Sequence, residues 1–375
     1  MADAYIAGAA MTRFGSRPDS LADLMAEAAR GALTAAGLER PEALVISAMN
    51  PEEFVGEGNF ASHVATHLGL ARTPSLRAET ATSSGAAALF TAFAMVSAGV
   101  YRSVLVVGGE KMTHLPTPRV SELIGRSIDA YERSYGATMP ALAGLVTRAW
   151  MARSGATLRD ISLVAVKNHA HATRNPWAHF REPVTLDAVM DSRLVAEPLR
   201  LFHCCPISDG AAAVVVVAER AAVRIAGIGQ GSDYLPLRYR DQLTSFRATQ
   251  EAARAAYRMA GFGPERVDVA ELHDAFTPFE LISMEDLGLA PHGKATRMLG
   301  HGETALDGRL PINPSGGLKA RGHPLGATGV AQVVELYWQL TEQAGERQVR
   351  ARTGLAQSIG GLATSNWVTL LERAA

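Results

Sequence analysis

The chain has 375 residues, of which 47% are hydrophobic and 19% charged, and its formal net charge is −1. This length and apolar content predict two or three packed units rather than one. Because 36 basic residues are balanced by 37 acidic ones, the composition argues against a nucleic-acid-binding protein and against a disordered acidic tail.

Targeting segments and cysteines give the next constraints. Residues 1–15 lack the basic start and apolar core of a signal peptide. The uncharged run 80–101 is long enough to suggest a membrane span, but its Ala, Ser and Thr content favours a buried helix. Cys204 and Cys205 are adjacent, so we predict small buried side chains rather than a disulfide or a zinc site. We expect a soluble, cytoplasmic protein without a metal and without membrane contact.

The first part of the chain alternates strands and helices. Apolar runs predict strands at 4–9, 42–48, 75–79 and 103–109, with helices at 20–36, 58–70 and 84–98. Such alternation is typical of right-handed βαβ units around a mostly parallel sheet. The sequence therefore predicts an α/β fold.

Residues 110–220 interrupt this alternation, with denser aromatic and charged residues. We interpret this region as an insertion that lies over the sheet and ends in a strand at 212–218. The predicted units are a first half at 1–115, an inserted loop domain at 116–211 and a second half at 221–375. Residues 212–220 would complete the first half.

The second half repeats the order of the first. Patterns from residue 246 onward predict helices at 250–261, 279–287 and 327–340, and strands at 267–272, 354–358 and 366–371. Each half then contains one almost entirely apolar, buried helix. Two similar halves suggest a pseudo-twofold pair whose loops meet at one site.

The residues from Asn313 to Gly329 stand out, because N-P-S-G-G-L-K-A-R-G-H-P-L-G-A-T-G contains five glycines and two prolines. This composition excludes the interior of a helix or strand. It holds His323 on a rigid turn just before a buried helix. A glycine loop, a fixed imidazole and a helix N-terminus can bind negative charge or polarise a carbonyl. The alternative is a tight turn with a core histidine.

Several motifs occur together in a specific order. They are E-T-A-T-S-S-G-A-A-A-L, K-N-H-A-H-A-T-R-N-P, C-C-P-I-S-D-G-A-A-A-V-V, E-L-H-D-A-F-T, N-P-S-G-G-L-K-A-R-G-H-P-L-G-A-T-G and Q-S-I-G-G. Over nearly the whole chain this series resembles the thiolase superfamily, and within it the sterol-carrier-protein-x type and its bacterial lipid-transfer-protein relatives. The resemblance implies duplicated βαβαβ halves in five α-β-α-β-α layers. It also implies a homodimer, a coenzyme A thioester as substrate and no permanently bound cofactor.

The cysteines that the family uses are missing from this chain. The resemblance implies a nucleophilic cysteine at the start of the first buried helix, where this sequence has Thr82. The position of the second cysteine holds Ser358, and the position after the H-D pair holds Ala275. By the same resemblance, the backbone N–H groups of Thr82 and Gly360 would form an oxyanion site.

Two histidines remain at family positions. His273 and His323 match residues that, in the relatives, polarise the thioester oxygen and favour the enolate. Asp274 could orient a ring or cap the following helix. Thr82 and Ser83 could react with a histidine as base, or they could cap the helix. His169, His171 and His203 are predicted to make structural hydrogen bonds.

Three functions follow from these residues. The first is retro-aldol cleavage of a β-hydroxyacyl-CoA, which needs a base and a stabilised enolate but no cysteine. The second is an ordinary acyltransferase that uses Thr82 or Ser83. The third is a non-catalytic acyl-CoA-binding or lipid-binding subunit of a complex. Some relatives of this branch work with a small OB-fold/zinc-ribbon protein, so such a partner is also expected.

Overall fold

The computed structural model describes residues 2–374. Its first part alternates strands and helices, close to the predicted positions. The elements are β1 (Tyr5–Met11), α1 (Leu21–Ala36), β2 (Ala43–Ser47), α2 (Pro51–Phe54), α3 (Phe60–His67), β3 (Ser75–Ala78), α4 (Ser84–Ser97) and β4 (Ser103–Glu110).

A mainly helical segment follows, and the chain then returns to the sheet. The segment contains α5 (Thr117–Gly125), α6 (Ala130–Ser134), α7 (Met139–Ser154), α8 (Leu158–Ala172), α9 (Leu186–Met190), β5 (Leu194–Ala196) and β6 (Leu199–Arg200). The remaining elements are β7 (Gly210–Val217), β8 (Val223–Ser232), α10 (Arg247–Ala260), β9 (Val269–Glu271), α11 (Thr277–Asp286), α12 (Ala295–Gly300), α13 (Gly317–Arg321), α14 (Leu325–Leu340), β10 (Thr353–Gly360) and β11 (Ser365–Arg373).

The central sheet has nine strands in the order β3-β2-β4-β7-β1-β8-β11-β10-β9. Outward from the central β1–β8 pair, the first half continues with β7, β4, β2 and β3, and the second half with β11, β10 and β9. In each half the last strand in sequence lies next to the first, as expected of a duplicated fold, and β3 has no counterpart among the described strands. The expectation of a mostly parallel sheet was wrong. Among the strand pairs of residues 2–374, only β2–β3, β2–β4 and β9–β10 are parallel, because β7 and β11 return through the middle of their halves in the antiparallel sense.

Strand β8 opens the second half, and the sequence pattern missed it. Its run V-R-I-A-G-I-G-Q-G-S has glycine at every second position, which favours a loop over a strand. In the structure these glycines let α10 lie directly on β8. A Cβ atom at Gly229 would lie 2.2 Å from the carbonyl oxygen of Ala252, and Gly227 and Gly231 are equally close to α10.

The layers follow from alternating side chains on the strands. On β4, Leu105 and Val107 pack with the α1 side, whereas Val104 and Val106 pack with α4 and α14. Helix α14 also contacts β9, β10 and β11, and α10 covers β8 and β11. The two central helices therefore lie between the two sets of strands, with α1 and α10 outside, which is the predicted five-layer arrangement.

Close contact between the central helices sets the geometry of the site. A Cβ atom at Gly329 would lie 2.4 Å from the backbone nitrogen of Ala86, and one at Gly85 would lie 2.8 Å from that of Val330. Because no side chain separates the two backbones, the N-terminal ends of α4 and α14 are held beside each other.

One further expectation changes in detail. The glycine-rich stretch was expected to be free of helix, but Gly317–Arg321 forms the short helix α13. The strand after the insertion, β7, lies between β4 and β1. The proposed boundaries at residues 115, 211 and 221 stay predictions.

Candidate active site

A cavity of about 260 Å³ lies where the ends of α4 and α14 meet the loop before α11 and the end of β10. Three of the predicted site residues, Thr82, His273 and His323, line it together. Most of the other lining residues are apolar, and they include Met112, Ile124, Met139, Pro140, Ile207, Phe276, Phe279, Leu325 and Leu362. Such a cavity suits an apolar acyl group that carries one reactive polar centre.

The imidazole rings of His273 and His323 contact each other edge to face. Their centroids are 5.0 Å apart with an interplanar angle of 88°, and the residues are only 2% (His273) and 5% (His323) exposed. Burial lowers the pKa of His323 to about 3, and Arg321 adds a smaller effect in the same direction. Burial also lowers the pKa of His273 well below its usual range, with His323 as the next contribution. Both rings are therefore neutral at physiological pH.

A hydrogen bond orients the His323 ring. Its Nδ1 lies 2.6 Å from Oγ1 of Thr328, which belongs to the first turn of α14. The Thr328 hydroxyl donates its own proton to the carbonyl of Pro324 at 2.8 Å. A hydroxyl has one proton, so this network assigns the ring proton to Nδ1 and leaves Nε2 with a free lone pair. His323 is thus arranged as a base.

Buried carboxylates hold the loop that carries His323. Oε2 of Glu110 accepts hydrogen bonds from the backbone nitrogens of Met49 (2.9 Å) and Gly326 (3.0 Å). Burial raises the pKa of Glu110 to about 7. Further along the loop, Arg321 and Glu271 form a fully buried ion pair at 3.1 Å. These contacts fix the imidazole from both sides.

His273 is positioned through its backbone. Its N–H donates to Oε1 of Gln357 at 2.9 Å, while its side-chain Nδ1 has no hydrogen-bond partner within residues 2–374. Neither proposed role of Asp274 is found. Its carboxylate accepts from the backbone nitrogens of Leu318 (2.6 Å) and Lys319 (3.3 Å), so it caps α13 rather than the helix that follows it in sequence.

The hydroxyl groups at the start of α4 are all tied to backbone oxygens. Oγ1 of Thr82 donates to the carbonyl of Ile359 at 2.6 Å, and Ser83 and Ser84 donate to the carbonyls of Thr80 (2.8 Å) and Ala81 (2.5 Å). The expected capping hydrogen bond is absent in this described part of the chain. The proton of Thr82 therefore points to a carbonyl and not to an imidazole.

The remaining two predicted positions lie beside the cavity. Ile359 lines it, but its neighbours Ser358 and Gly360 are not among the described lining residues. Ser358 is 2% exposed, and its Oγ has no hydrogen-bond partner within residues 2–374. A Cβ atom at Gly360 would lie 2.4 Å from Oγ of Ser83, so this glycine permits close contact between β10 and the start of α4.

Cys204 and Cys205 also line the cavity, so they are half-buried rather than fully buried as predicted, and the sequence interpretation missed this location. The backbone N–H of Cys205 donates to the carbonyl of Ala275 at 2.9 Å, so the pair lies beside the residue that follows the H-D motif. Burial raises the pKa of Cys204 to about 11 and that of Cys205 to about 12. The thiols are therefore protonated. The C-C-P-I-S-D-G motif could have indicated that these cysteines lie at the site, but two neighbouring cysteines do not by themselves suggest a chemical role.

The other histidines make the structural hydrogen bonds that were expected. Nδ1 of His169 lies 3.1 Å from the carbonyl of Glu182, and Nδ1 of His171 lies 3.0 Å from that of Asn313. Nε2 of His203 lies 2.9 Å from Oγ of Ser162. None of the three lines the cavity between α4 and α14.

Metal binding and membrane insertion find no support in the described residues. No group of three or more His, Cys, Asp or Glu residues within 2–374 is arranged to hold a metal ion. In the same part of the chain, no helix combines the length and the apolar character needed to cross a bilayer.

Two family models together match almost the whole chain. The model "Thiolase, N-terminal domain" matches residues 4–220, and "Thiolase C-terminal domain-like" matches residues 229–373. The chain belongs to the thiolase superfamily. This thiolase-superfamily protein has the family fold, and its cavity brings His273, His323 and Thr82 together.

Among curated proteins, this thiolase-superfamily chain is similar to enzymes and to a lipid carrier. It is 39% identical to an acetyl-CoA acetyltransferase of Methanothermobacter thermautotrophicus, with 100% of both chains covered. It is 35% identical to sterol carrier protein 2 of Rattus norvegicus, over 95% of this chain and 69% of that protein. It is 34% identical to the benzoylsuccinyl-CoA thiolase subunit BbsB of Thauera aromatica, over 95% and 94%.

Solved structures agree with the thiolase-superfamily assignment. A structure titled "Ltp2-ChsH2(DUF35) aldolase" superposes with a TM-score of 0.85 at 26% identity, over 99% of this chain and 98% of that one. Human mitochondrial 3-ketoacyl-CoA thiolase superposes with a TM-score of 0.77 at 16% identity, over 100% and 99%, which is evidence for the fold alone.

Proposed function

We propose that this protein cleaves or forms a carbon–carbon bond next to a coenzyme A thioester by aldol chemistry, without an acyl-enzyme intermediate. The observation that carries the proposal is the geometry around Thr82. Two neutral imidazoles line the cavity with it, but its hydroxyl donates to the Ile359 carbonyl at 2.6 Å. A hydroxyl whose proton points to a carbonyl has no base to activate it as a nucleophile.

The proposed reaction uses the two imidazoles in different roles. Nε2 of His323 accepts the proton of the substrate's β-hydroxyl group. The electrons of that O–H bond form a carbonyl, the Cα–Cβ bond breaks, and its electron pair moves to Cα and the thioester oxygen as an enolate. Neutral His273 donates a hydrogen bond to the enolate oxygen. The His323 imidazolium then returns this proton to Cα, which gives a shorter acyl-CoA and an aldehyde or ketone, so atoms and electrons balance without an oxidant.

Ser83 is a poor alternative nucleophile. It is 0% exposed, and its Oγ lies 2.8 Å and 2.9 Å from the carbonyl oxygens of Thr80 and Ser365. An acyl-CoA carbonyl cannot reach such an atom unless the start of α4 rearranges. The protonated thiols of Cys204 and Cys205 are weak nucleophiles, because the thiolate is the reactive form.

The assembly is also part of the proposal. We expect a homodimer through the first-half strands, since the edge strand β3 carries the exposed side chain of Leu76 and leaves one side without a strand partner. A small OB-fold/zinc-ribbon partner is proposed because the similar aldolase structure names a DUF35 component. We place the protein in the cytoplasm.

The experiment is a product analysis with β-hydroxyacyl-CoA substrates of several chain lengths. Purified protein, alone and together with a co-expressed DUF35-type partner, is expected to release a shorter acyl-CoA and an equimolar aldehyde or ketone, both measured by mass spectrometry. The variant His323→Ala should stop release, while His301→Ala, at an exposed position, should not. If neither form releases a carbonyl product but the protein transfers acyl groups between thioesters, the aldol proposal is wrong.

A further inference from the structure

A second cavity of about 660 Å³ lies on the other side of the Cys204–Pro206 segment. Cys204, Cys205 and Pro206 line both cavities, so this segment is a shared wall. No role proposed so far uses the second cavity.

The side chain of Lys319 lines the second cavity, and its charge is not neutralised there. The residue is 3% exposed, and its Nζ makes no hydrogen bond or ion pair within residues 2–374. Its only ring contacts there are with Phe180 and Phe202, whose centroids lie 5.7 Å and 5.5 Å from Nζ. A buried ammonium without an anion is costly, since the ring faces replace only part of its hydration.

Most of the other charged residues around the second cavity are also basic. Arg13 and Arg181 lie on its exposed rim, and neither side chain forms an ion pair in the described part of the chain. Glu182 is the one acidic residue among the described lining residues. Burial lowers the pKa of Lys319, and the Asp274 carboxyl, which accepts a hydrogen bond from the Lys319 backbone N–H, opposes this only in part.

Apart from His169 and His179, most of the remaining wall is apolar, and it includes Phe180, Pro183, Val184, Leu201 and Phe202. An inorganic ion would leave these side chains facing water. An organic ligand with an anionic group at one end would instead place its apolar part against them.

We propose that this cavity binds the anionic group of an amphiphilic organic ligand, a carboxylate or a phosphate, with the Lys319 ammonium as its ion-pair partner. The carboxylate could belong to a free organic acid, and the phosphate to coenzyme A. In either case the ligand lies against the wall that borders the reaction cavity. The inference does not depend on the aldol proposal, because it concerns binding alone.

Titration calorimetry tests the proposal with three probes, which are octanoate, coenzyme A and the neutral analogue octanamide. At least one anionic probe should bind at one site per chain, and Lys319→Met should weaken that binding by about tenfold or more, because the charge-assisted contact is lost. Lys319→Arg should retain most of the affinity. Lys294→Met, which removes an exposed lysine outside both cavities, should have no effect.

The probes also separate the two ligand sources. An effect of Lys319→Met on octanoate identifies an organic acid site, and an effect on coenzyme A alone identifies a phosphate site. Equal affinities of the wild type and Lys319→Met for both anions, or no binding of either by the wild type, would overturn the proposal. Lys319→Gln provides a second neutral variant if Lys319→Met does not fold, and the same comparison then applies to it.

Discussion

The N-terminal ends of α4 and α14 occupy equivalent places in the two halves of the molecule but present different chemistry. At α4, the hydroxyls of Thr82, Ser83 and Ser84 all donate to backbone carbonyls. At α14, the ring of His323 is oriented by Thr328 so that a lone pair remains available. The α14 end therefore offers a proton acceptor, whereas the hydroxyl protons at the α4 end are all engaged by backbone carbonyls.

The largest effect is expected from His323→Ala at the α14 end. Loss of the base should lower kcat/KM for carbon–carbon cleavage by about 10²–10⁴-fold. Steady-state release of the shorter acyl-CoA measures this. If kcat/KM falls by less than about tenfold, His323 is not the base, and the proposed difference in function between the α4 and α14 ends is wrong.

A smaller effect should follow when the orienting bond of His323 is removed. Thr328→Val keeps the side-chain shape but removes the acceptor for Nδ1, so the ring loses its fixed tautomer. We expect kcat to fall by about 10-fold to 100-fold. Thr328→Ser should restore most of the activity. A purely structural role for Thr328 would predict lower thermal stability in Thr328→Val with unchanged kcat.

The contact between the two helices can be tested by stability. In Gly329→Ala the new Cβ would meet the backbone of Ala86 at 2.4 Å, and backbone cannot move as easily as a side chain. We expect a loss of about 2–3 kcal/mol in the free energy of unfolding, measured by denaturant titration. Gly125→Ala is the matched control, because its Cβ would have no atom within 4 Å. An unchanged free energy in Gly329→Ala would contradict this packing.

The pH dependence of the rate distinguishes a buried from an exposed histidine. Because the pKa of His323 is lowered to about 3, this histidine should stay neutral between pH 7 and 5.5. Its titration should therefore change kcat/KM by less than about twofold over that range. A histidine of ordinary pKa would lose about tenfold over that range. Stability should still fall below about pH 6.5, since the unfolded chain binds protons at rings that remain neutral in the folded chain.

Much of this fold could be predicted from sequence because most of its elements carry strong periodic signals. The apolar helix 327–340 and the strand 103–109 were placed nearly as observed, at Leu325–Leu340 and Ser103–Glu110. Strand β8 was missed because glycines are unusual in strands. Its alternate glycines make room for the backbone of α10, and the local sequence does not show that contact. The mixed strand directions were missed too, because β7 returns to the sheet only after the long insertion, and the short turn that makes β11 antiparallel to β10 was not recognised.

Part of the site could also be predicted from the sequence, because it lies in recognisable motifs. Motifs place His273 and His323 at recognisable positions, and the structure brings both to one cavity with Thr82. Long-range hydrogen bonds have no such signal. The bond from Thr82 to Ile359 joins residues 277 positions apart, and the return of Cys204 and Cys205 to the cavity depends on the path of the insertion.

The smallest effect, and the most direct test, concerns the α4 end. Thr82→Val removes the hydroxyl, and we expect carbon–carbon cleavage to continue within about twofold of the wild-type rate. Wild-type protein mixed with its acyl-CoA substrate and quenched in acid should show no acyl adduct by intact-protein mass spectrometry. An acyl group mapped to Thr82, together with loss of turnover in Thr82→Val, would contradict the account.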